Sequence, residues 1–180
     1  MPTRDKDALK PNLRAPSYFL VESKMECLAC GHLATVYAIG LPTGYEIVRG
    51  SGKTERWAAV KSPILLYTVT WMSASAANYI RTITSCYRLE ERSGYGTFWM
   101  NHCDNCDEEM LEEEMYMEPE WGPFGDAPYE GDVIRPKYVD EPIEIHSNNM
   151  ERAPKFLKKA ERALRRKPKD APPDDFDPPF

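Results

Sequence analysis

Two stretches decide the fold of this chain, Cys27-Leu-Ala-Cys30 and, after 72 further residues, Cys103-Asp-Asn-Cys106. Two residues between paired cysteines let one turn of backbone direct both sulfur atoms at a single ion about 2.3 Å away. Four thiolates in two such pairs match the tetrahedral ligand set of a structural zinc site. The spacing therefore predicts that all four cysteines hold one Zn²⁺ ion.

The residue after each pair supports this interpretation. A knuckle that turns past its second ligand often needs a positive φ, which Gly31 adopts without a Cβ clash. Asp107 stands at the same place after the second pair, and aspartate tolerates that conformation at some cost. Closing the loop between the pairs costs about 4 kcal/mol. Structural zinc supplies about 10 to 16 kcal/mol in small peptides, so the free energy of metal binding exceeds the cost of closing the loop.

Thiol redox chemistry is the alternative interpretation of the same cysteines. A lone Cys-x-x-Cys in a cytosolic protein can be a thioredoxin-like motif, but two pairs without a βαβ pattern favour zinc. Disulfides rank third, because the sequence shows no secretory signal. The alternative to a zinc protein is thus a thiol-disulfide oxidoreductase that uses Cys103 and Cys106 near His102.

The two knuckles, each between apolar β-like runs, resemble a zinc ribbon, a family in which two β-hairpins each contribute a cysteine pair. Residues 95–106 read Tyr-Gly-Thr-Phe-Trp-Met-Asn-His-Cys-Asp-Asn-Cys, and Glu118-Pro119 and Pro123-Phe124 follow. This pattern is similar to a group of uncharacterised bacterial zinc-ribbon proteins with an aromatic-rich strand, an Asn-x-Cys-x-x-Cys knuckle and a downstream Glu-Pro and Phe. The resemblance covers a small part of the chain and implies metal binding but no reaction.

Length and hydropathy predict one domain with tails. The 180 residues can bury a core without disulfides. No run of 18 apolar residues is present, so we expect no membrane span. The polar start of the chain lacks the apolar stretch of a signal peptide, and a cytoplasmic location is the resulting expectation.

Charge is distributed unevenly along the chain. The net charge is −6, but residues 1–100 carry 12 basic and 8 acidic groups, or +4. Residues 101–150 carry 2 basic and 15 acidic groups, or −13, and residues 151–180 carry 9 and 6, or +3. Such asymmetry bears on partners and solubility rather than on the fold.

The pattern of apolar residues predicts an α+β fold with a small, mainly antiparallel β, zinc-ribbon-like core, an inserted short helix and a C-terminal amphipathic helix. The expected strands are 18–21, 33–39, 45–48, 57–60, 64–71 and 95–100, with 143–145 as an edge strand and 76–84 as the helix. The predicted division is a disordered lead at 1–16, the domain at 17–147, a basic amphipathic helix at 148–168 and a disordered tail at 169–180.

The C-terminal helix has an apolar stripe and a strongly basic opposite face. The basic residues proposed to contact nucleic-acid phosphates are Lys155, Lys158, Lys159, Arg162, Arg165 and Arg166. The alternatives are an anionic membrane surface and docking of the helix onto the acidic segment of the same molecule. Tyr95 and Trp99 are the exposed aromatic residues expected to assist nucleic-acid binding.

Other reactive groups receive structural interpretations. Gly50-Ser-Gly-Lys-Thr54 lacks the first glycine of a phosphate loop and is interpreted as a turn. Cys86 is interpreted as a small core residue. His32, His102 and His146 are interpreted as solvent-facing side chains, and the alternative for His32 or His102, which adjoin the knuckles, is a zinc ligand or a hydrogen-bonding neighbour of the site.

A closed set of four thiolates leaves no coordination position for a reactive water, so the sequence predicts no catalysis. The predicted function is recognition of a protein or a nucleic acid around a structural zinc, and no small-molecule substrate is inferred.

Overall fold

The computed structural model describes residues 10–94, 96–116, 122–124, 134–152 and 155–166, which form an α+β architecture that is mainly antiparallel β-sheet. The strands are β1 (Leu13–Ala15), β2 (Tyr18–Glu26), β3 (Leu33–Leu41), β4 (Glu46–Arg49), β5 (Arg56–Ala59), β6 (Ile64–Met72), β7 (Tyr87–Arg92), β8 (Gly96–His102), β9 (Glu109–Met110), β10 (Arg135–Val139) and β11 (Ile143–Arg152). The helices are α1 (Ala74–Ile83), α2 (Glu112–Tyr116) and α3 (Lys155–Arg166), with a 3₁₀ turn at Gly52–Thr54.

The strands form two sheets. The larger has the order β10-β2-β3-β6-β11-β1-β4-β5, and the smaller has the order β7-β8-β9. Neighbouring strands are antiparallel throughout the described residues. The hairpin β2–β3 belongs to the larger sheet and the hairpin β8–β9 to the smaller one, so the two cysteine pairs lie at the turns of hairpins in different sheets.

Apolar side chains alternate between the two faces of the larger sheet and build one core cluster on each. Tyr18 and Leu20 of β2 join the cluster that α1 covers through Ile80. Phe19 and Val21, which alternate with them, join the other cluster, where the side chains of Met115, Phe124 and Leu157 are buried. Cys27 and Cys103 belong to this second cluster, so one wall of the cysteine site is continuous with the core.

Helix α3 docks on the larger sheet at a glycine. A Cβ atom on Gly40 would lie only 2.9 Å from Cδ1 of Leu157, whose side chain is fully buried. Glu161, one turn further along α3, accepts hydrogen bonds from the amide of Thr43 at 3.1 Å and from its hydroxyl at 2.9 Å. Core packing and these two bonds therefore fix the helix against the sheet, and the basic side chains are left outside.

The predicted regular elements around the first knuckle are confirmed, and the long-range placements are corrected. Strands form at all the predicted places, and helix α1 follows β6. The edge position predicted for residues 143–145 is wrong, because β11 lies between β6 and β1 inside the sheet. The larger sheet is also more extensive than the predicted small core.

The predicted ends of the domain are corrected where the structure describes them. The disordered lead predicted at 1–16 is wrong for Leu13–Ala15, because this strand pairs with β11 and β4 and buries Leu13 completely. The helix predicted from residue 148 begins only at Lys155, since residues 148–152 continue β11. Residues 1–9 and the predicted tail at 169–180 lie outside the described residues. Among the residues that are described, no helix is long and apolar enough to cross a membrane.

Candidate metal centre

The first cysteine pair lies in the turn between β2 and β3. The amide of Cys27 donates a hydrogen bond to the carbonyl of His32 at 2.8 Å, and the amide of Gly31 donates to the carbonyl of Cys27 at 2.7 Å. These two bonds fold residues 27–32 into a compact loop. The backbone φ of Gly31 is +69°, the left-handed conformation predicted for this position.

The second pair repeats the same backbone pattern 76 positions later. The amide of Cys103 donates to the carbonyl of Glu108 at 2.8 Å, and the amide of Asp107 donates to the carbonyl of Cys103 at 2.9 Å. Asp107 has a φ of +64°, within a few degrees of the φ of Gly31. The prediction that aspartate adopts the conformation of the missing glycine is confirmed.

The four sulfur atoms converge at one place. The Sγ atoms of Cys27 and Cys106 are 3.7 Å apart, as are those of Cys30 and Cys103. All four Sγ atoms lie within 4.8 Å of one another. A regular tetrahedron with zinc–sulfur bonds of about 2.3 Å has edges of about 3.8 Å, so the donor set fits this ion. The same distances are far longer than the bond of about 2 Å in a disulfide.

The site is buried on one side and open on the other. Cys27 and Cys103 are almost fully buried, whereas Cys30 and Cys106 are exposed. The buried cysteines are the first of each pair, and the exposed ones are the second. A bound ion would therefore be reached from solvent on the side of Cys30 and Cys106.

Neighbouring groups shift the pKa values of the two exposed thiols in opposite directions. Hydrogen bonds from the His32 amide and the Asn105 side chain, with the adjacent Cys106, lower the pKa of Cys30 to about 6. The Glu108 amide lowers the pKa of Cys106, but the nearby Cys30 sulfur, desolvation and the other two cysteines together raise it to about 12. A second thiolate beside the first is unfavourable unless a cation compensates it. The cluster is thus built to release protons when a metal binds.

Charged and polar neighbours hold the second knuckle in shape. The Arg88 guanidinium forms two hydrogen bonds with the Asp107 carboxylate, at 2.8 and 3.1 Å, and holds the pKa of that carboxyl below its ordinary value. The side chain of His102 is buried, and its Nδ1 atom lies 3.2 Å from the carbonyl oxygen of Asp107. Across the site, the Nε2 atom of His32 lies 2.8 Å from a carboxylate oxygen of Asp104, a contact that joins the two knuckles.

The two sheets are joined beside the site by Asn101, two positions before Cys103. Its side-chain amide forms two hydrogen bonds with the backbone of Tyr37 on β3. Neither Asn101 nor Arg88 was among the predicted functional residues. The Asn-x-Cys-x-x-Cys pattern contained a signal for Asn101, whereas Arg88 lies 15 residues before Cys103 and has no local signal.

The other predicted groups have mixed outcomes. The prediction that Trp99 is exposed is wrong. Its side chain points from β8 into the core, is only 2% exposed and packs against Tyr87. Tyr95 lies outside the described residues. The solvent-facing interpretation is wrong for buried His102, and His146 is half-buried with Nδ1 2.7 Å from the Thr70 hydroxyl. Cys86 is half-buried and stands apart from the four-cysteine cluster.

The proposed nucleic-acid residues lie on α3. The side chains of Lys155, Lys158, Lys159, Arg162 and Arg165 are exposed, and Arg165 pairs with Glu161 at 2.9 Å. The side chain of Arg166 lies outside the described part of the structure.

Comparisons with protein-family profiles, with curated proteins and with solved structures give no match to this chain. The class of site, a compact four-cysteine cluster compatible with a zinc-ribbon-like centre, is therefore defined by its own geometry.

Proposed function

We propose that this chain is a non-catalytic, zinc-ribbon-like protein in which Cys27, Cys30, Cys103 and Cys106 hold one structural Zn²⁺ ion. The convergence of their Sγ atoms within 4.8 Å carries the proposal. The donor set consists of four soft sulfur atoms at spacings that a tetrahedral zinc ion can bridge. The ion would connect a hairpin of the larger sheet to a hairpin of the smaller one.

The proposal of a structural rather than a catalytic ion follows from the donor count. Catalytic zinc keeps an open position for water, and four protein ligands fill the tetrahedron. The sulfur atoms come from two hairpin turns, each closed by two backbone hydrogen bonds. The ion would thus stabilise the fold and orient the knuckles.

Recognition of a macromolecule is the role proposed for the whole protein. Exposed cations on α3 support it, because Lys155, Lys158, Lys159 and Arg162 project from a helix that the core holds in place. Nucleic acid is the first partner to test, and a protein with an acidic surface is the second. Binding to phosphates predicts an affinity that falls steeply with salt, because counterions are released.

Elemental analysis of purified protein tests the metal. We expect one zinc per chain in the wild type and loss of zinc in each of the four single Cys→Ser variants. The same variants should unfold at clearly lower temperature. Cys86→Ser is the matched control, because Cys86 lies outside the cluster and should leave both metal content and unfolding unchanged. Full metal content in any of the four variants, or iron in place of zinc, would contradict the proposed site.

A quadruple substitution tests α3 as the recognition surface. Lys155→Gln, Lys158→Gln, Lys159→Gln and Arg162→Gln together should lower the affinity for nucleic acid and flatten its salt dependence, while zinc content stays at one per chain. Unchanged affinity in this variant would remove α3 from the proposal and leave the metal site untouched.

A further inference from the structure

A basic and aromatic cleft lies at the edge of the larger sheet, away from the cysteines and from α3. It is an open space of about 450 Å³ beside β5. Its lining residues are Lys10, Pro11, Val48, Glu55, Arg56 and Trp57, and we refer to it as the Trp57 cleft. The turn Gly50-Ser-Gly-Lys-Thr54 joins the two strands beside it.

The position of Trp57 in its hairpin explains why the ring faces the cleft. Trp57 stands opposite Val48, whereas the next pair along the hairpin is Ile47 and Ala58. Ile47 packs against the core cluster covered by α1. Successive side chains of a strand point to opposite faces. Trp57 and Val48 therefore stand on the other face, where Trp57 is only partly buried.

One cation lies over this ring, and two others line the cleft. The guanidinium carbon of Arg14 lies 4.4 Å from the centroid of the Trp57 ring, within cation–π range, and its Nε atom is paired with the Glu46 carboxylate at 2.6 Å. Lys10 and Arg56 are exposed, and Glu55 is the single acidic residue among the six lining residues. Arg49 stands directly opposite Arg56 across the hairpin, and both are exposed. Alternation places this pair on the face of Ile47, but Arg56, on the outermost strand, also lines the cleft.

The chemistry of the cleft selects the kind of anion. The positive charge on edge strand β5 has a simpler explanation, since charged side chains on an edge strand discourage association with other sheets. That explanation accounts for Arg56 but not for a partly buried tryptophan beside it that lines the cleft. A positively charged groove combined with an aromatic platform is the arrangement that binds single strands of nucleic acid, whose unpaired bases can stack. A duplex keeps its base faces covered and offers nothing for the ring to stack on.

We propose that the Trp57 cleft binds single-stranded nucleic acid, with one base stacked on Trp57 and the adjacent phosphates contacted by Lys10 and Arg56. This inference rests on the recognition function proposed above and adds a surface that is separate from α3. Both surfaces lie on the same face of the larger sheet, since α3 packs on the face that carries Phe19 and Gly40. Five strand steps separate β3 from β5, or about 24 Å at the usual strand spacing.

Fluorescence anisotropy of a labelled thymidine oligonucleotide of about 12 nucleotides, titrated with the zinc-loaded full chain at several salt concentrations, tests this proposal. Trp57→Ala should weaken binding about tenfold or more, whereas Trp57→Phe should keep most of the affinity because it preserves a stacking ring. Arg56→Gln should weaken binding and reduce the slope of log K against log salt by about 0.7, the value for one phosphate contact on a single strand.

Arg135→Gln is the matched control for Arg56→Gln. Arg135 and Arg56 are each the first residue of an edge strand, at opposite edges of the same sheet, and both are exposed. Arg135→Gln should leave the affinity unchanged. Metal content and thermal unfolding of every variant establish that it is folded. If Trp57→Ala fails this check, Trp57→Phe, Arg56→Gln and Lys10→Gln still carry the test.

Two results would overturn the inference and can be told apart. Wild-type affinity in the Trp57 and Arg56 variants, with loss in the quadruple α3 variant, would place the nucleic-acid surface on α3 alone. If the wild type does not bind the oligonucleotide even at low salt, the remaining role of these cations is to discourage association of the edge strand with other sheets. In both cases the zinc content of the four Cys→Ser variants tests the metal site separately.

Discussion

The side-chain amide of Asn101 pairs with the backbone of Tyr37 as a neighbouring strand would. Oδ1 of Asn101 accepts a hydrogen bond from the Tyr37 amide at 2.7 Å, and Nδ2 donates to the Tyr37 carbonyl at 2.8 Å. Both bonds are buried, and they connect β8 of the smaller sheet to β3 of the larger one. The two hairpins that carry the cysteines are therefore joined by protein contacts as well as by any shared ion.

Asn101→Ala should destabilise the protein by about 2 to 4 kcal/mol, because it leaves two buried backbone groups without their partners. Urea-induced unfolding measures this loss. Asn78→Ala, on the exposed part of α1, is the control and should change the free energy of unfolding little. A urea midpoint for Asn101→Ala equal to that of Asn78→Ala would show that the pairing does not stabilise the protein.

Asp107→Ala should be less stable than Asp107→Asn. Both remove the charge paired with Arg88, but asparagine tolerates the φ of +64° that alanine adopts only with strain. Comparison of urea midpoints at neutral pH checks the order of the two variants. Equal midpoints would mean that the backbone conformation at residue 107 costs nothing.

The contribution of the Arg88–Asp107 pair should depend on pH. Arg88 lowers the pKa of the Asp107 carboxyl from its ordinary value of 3.8, so the folded protein favours the ionised form. The resulting stabilisation is present above that value and is lost as pH falls through the lower folded pKa. The difference in stability between the wild type and Asp107→Asn should thus be constant near pH 6 and shrink below pH 3.8. A difference that grows on acidification would contradict this assignment.

Gly40→Ala and Leu157→Ala should not be additive. The new Cβ atom of Gly40→Ala would meet Leu157 at 2.9 Å and cost about 1 to 3 kcal/mol by overpacking. Leu157→Ala should cost about 2 to 5 kcal/mol through lost burial and a cavity. In the double variant the smaller side chain relieves the clash, so the total loss should fall short of the sum by about 1 kcal/mol or more. A double-mutant cycle by urea unfolding measures this coupling, and strict additivity would show that α3 is not seated on Gly40.

In metal-free protein, iodoacetamide should modify Cys30 before Cys106. The pKa of Cys30 is about 6, so its reactive thiolate is populated at neutral pH and its alkylation rate should rise through pH 6. The pKa of Cys106 is about 12, which keeps that thiol protonated under the same conditions. Peptide mapping by mass spectrometry follows both sites, and zinc should protect both. Equal rates at pH 7 would refute the difference between the two thiols.

Local features of this chain were predictable from sequence, because they depend on residues close together. The turn at Gly31 and its counterpart at Asp107 follow from the two-residue cysteine spacing, and their positive φ values are confirmed. The hairpin between β2 and β3 and helix α1 have their own periodic patterns. The proximity of the four sulfur atoms was predicted from the cysteine spacing and the number of thiolates, and it is confirmed as a cluster.

Features that depend on distant partners were not predictable in the same way. Residues 143–145 looked like an edge strand because one apolar run does not reveal which strands flank it. Trp99 looked exposed because alternation in β8 does not show which face meets the larger sheet. Leu13 lies among polar and proline residues, and only its pairing with Ile145 and Ile47 gives it a buried place. The role of Arg88 likewise requires the folded arrangement, whereas the Asn-x-Cys-x-x-Cys pattern pointed to Asn101 without revealing Tyr37 as its partner.

The separation of the two cysteine pairs between different sheets has a consequence during synthesis on the ribosome. Cys30 completes the first pair, and Cys106 completes the second one 76 residues later. At translation rates of about 5 to 20 residues per second, the nascent chain carries half a ligand set for about 4 to 15 seconds. Strands β2 and β3 are synthesised well before Cys106, so an ion that bound the first cysteine pair at this stage would have to wait for the second pair.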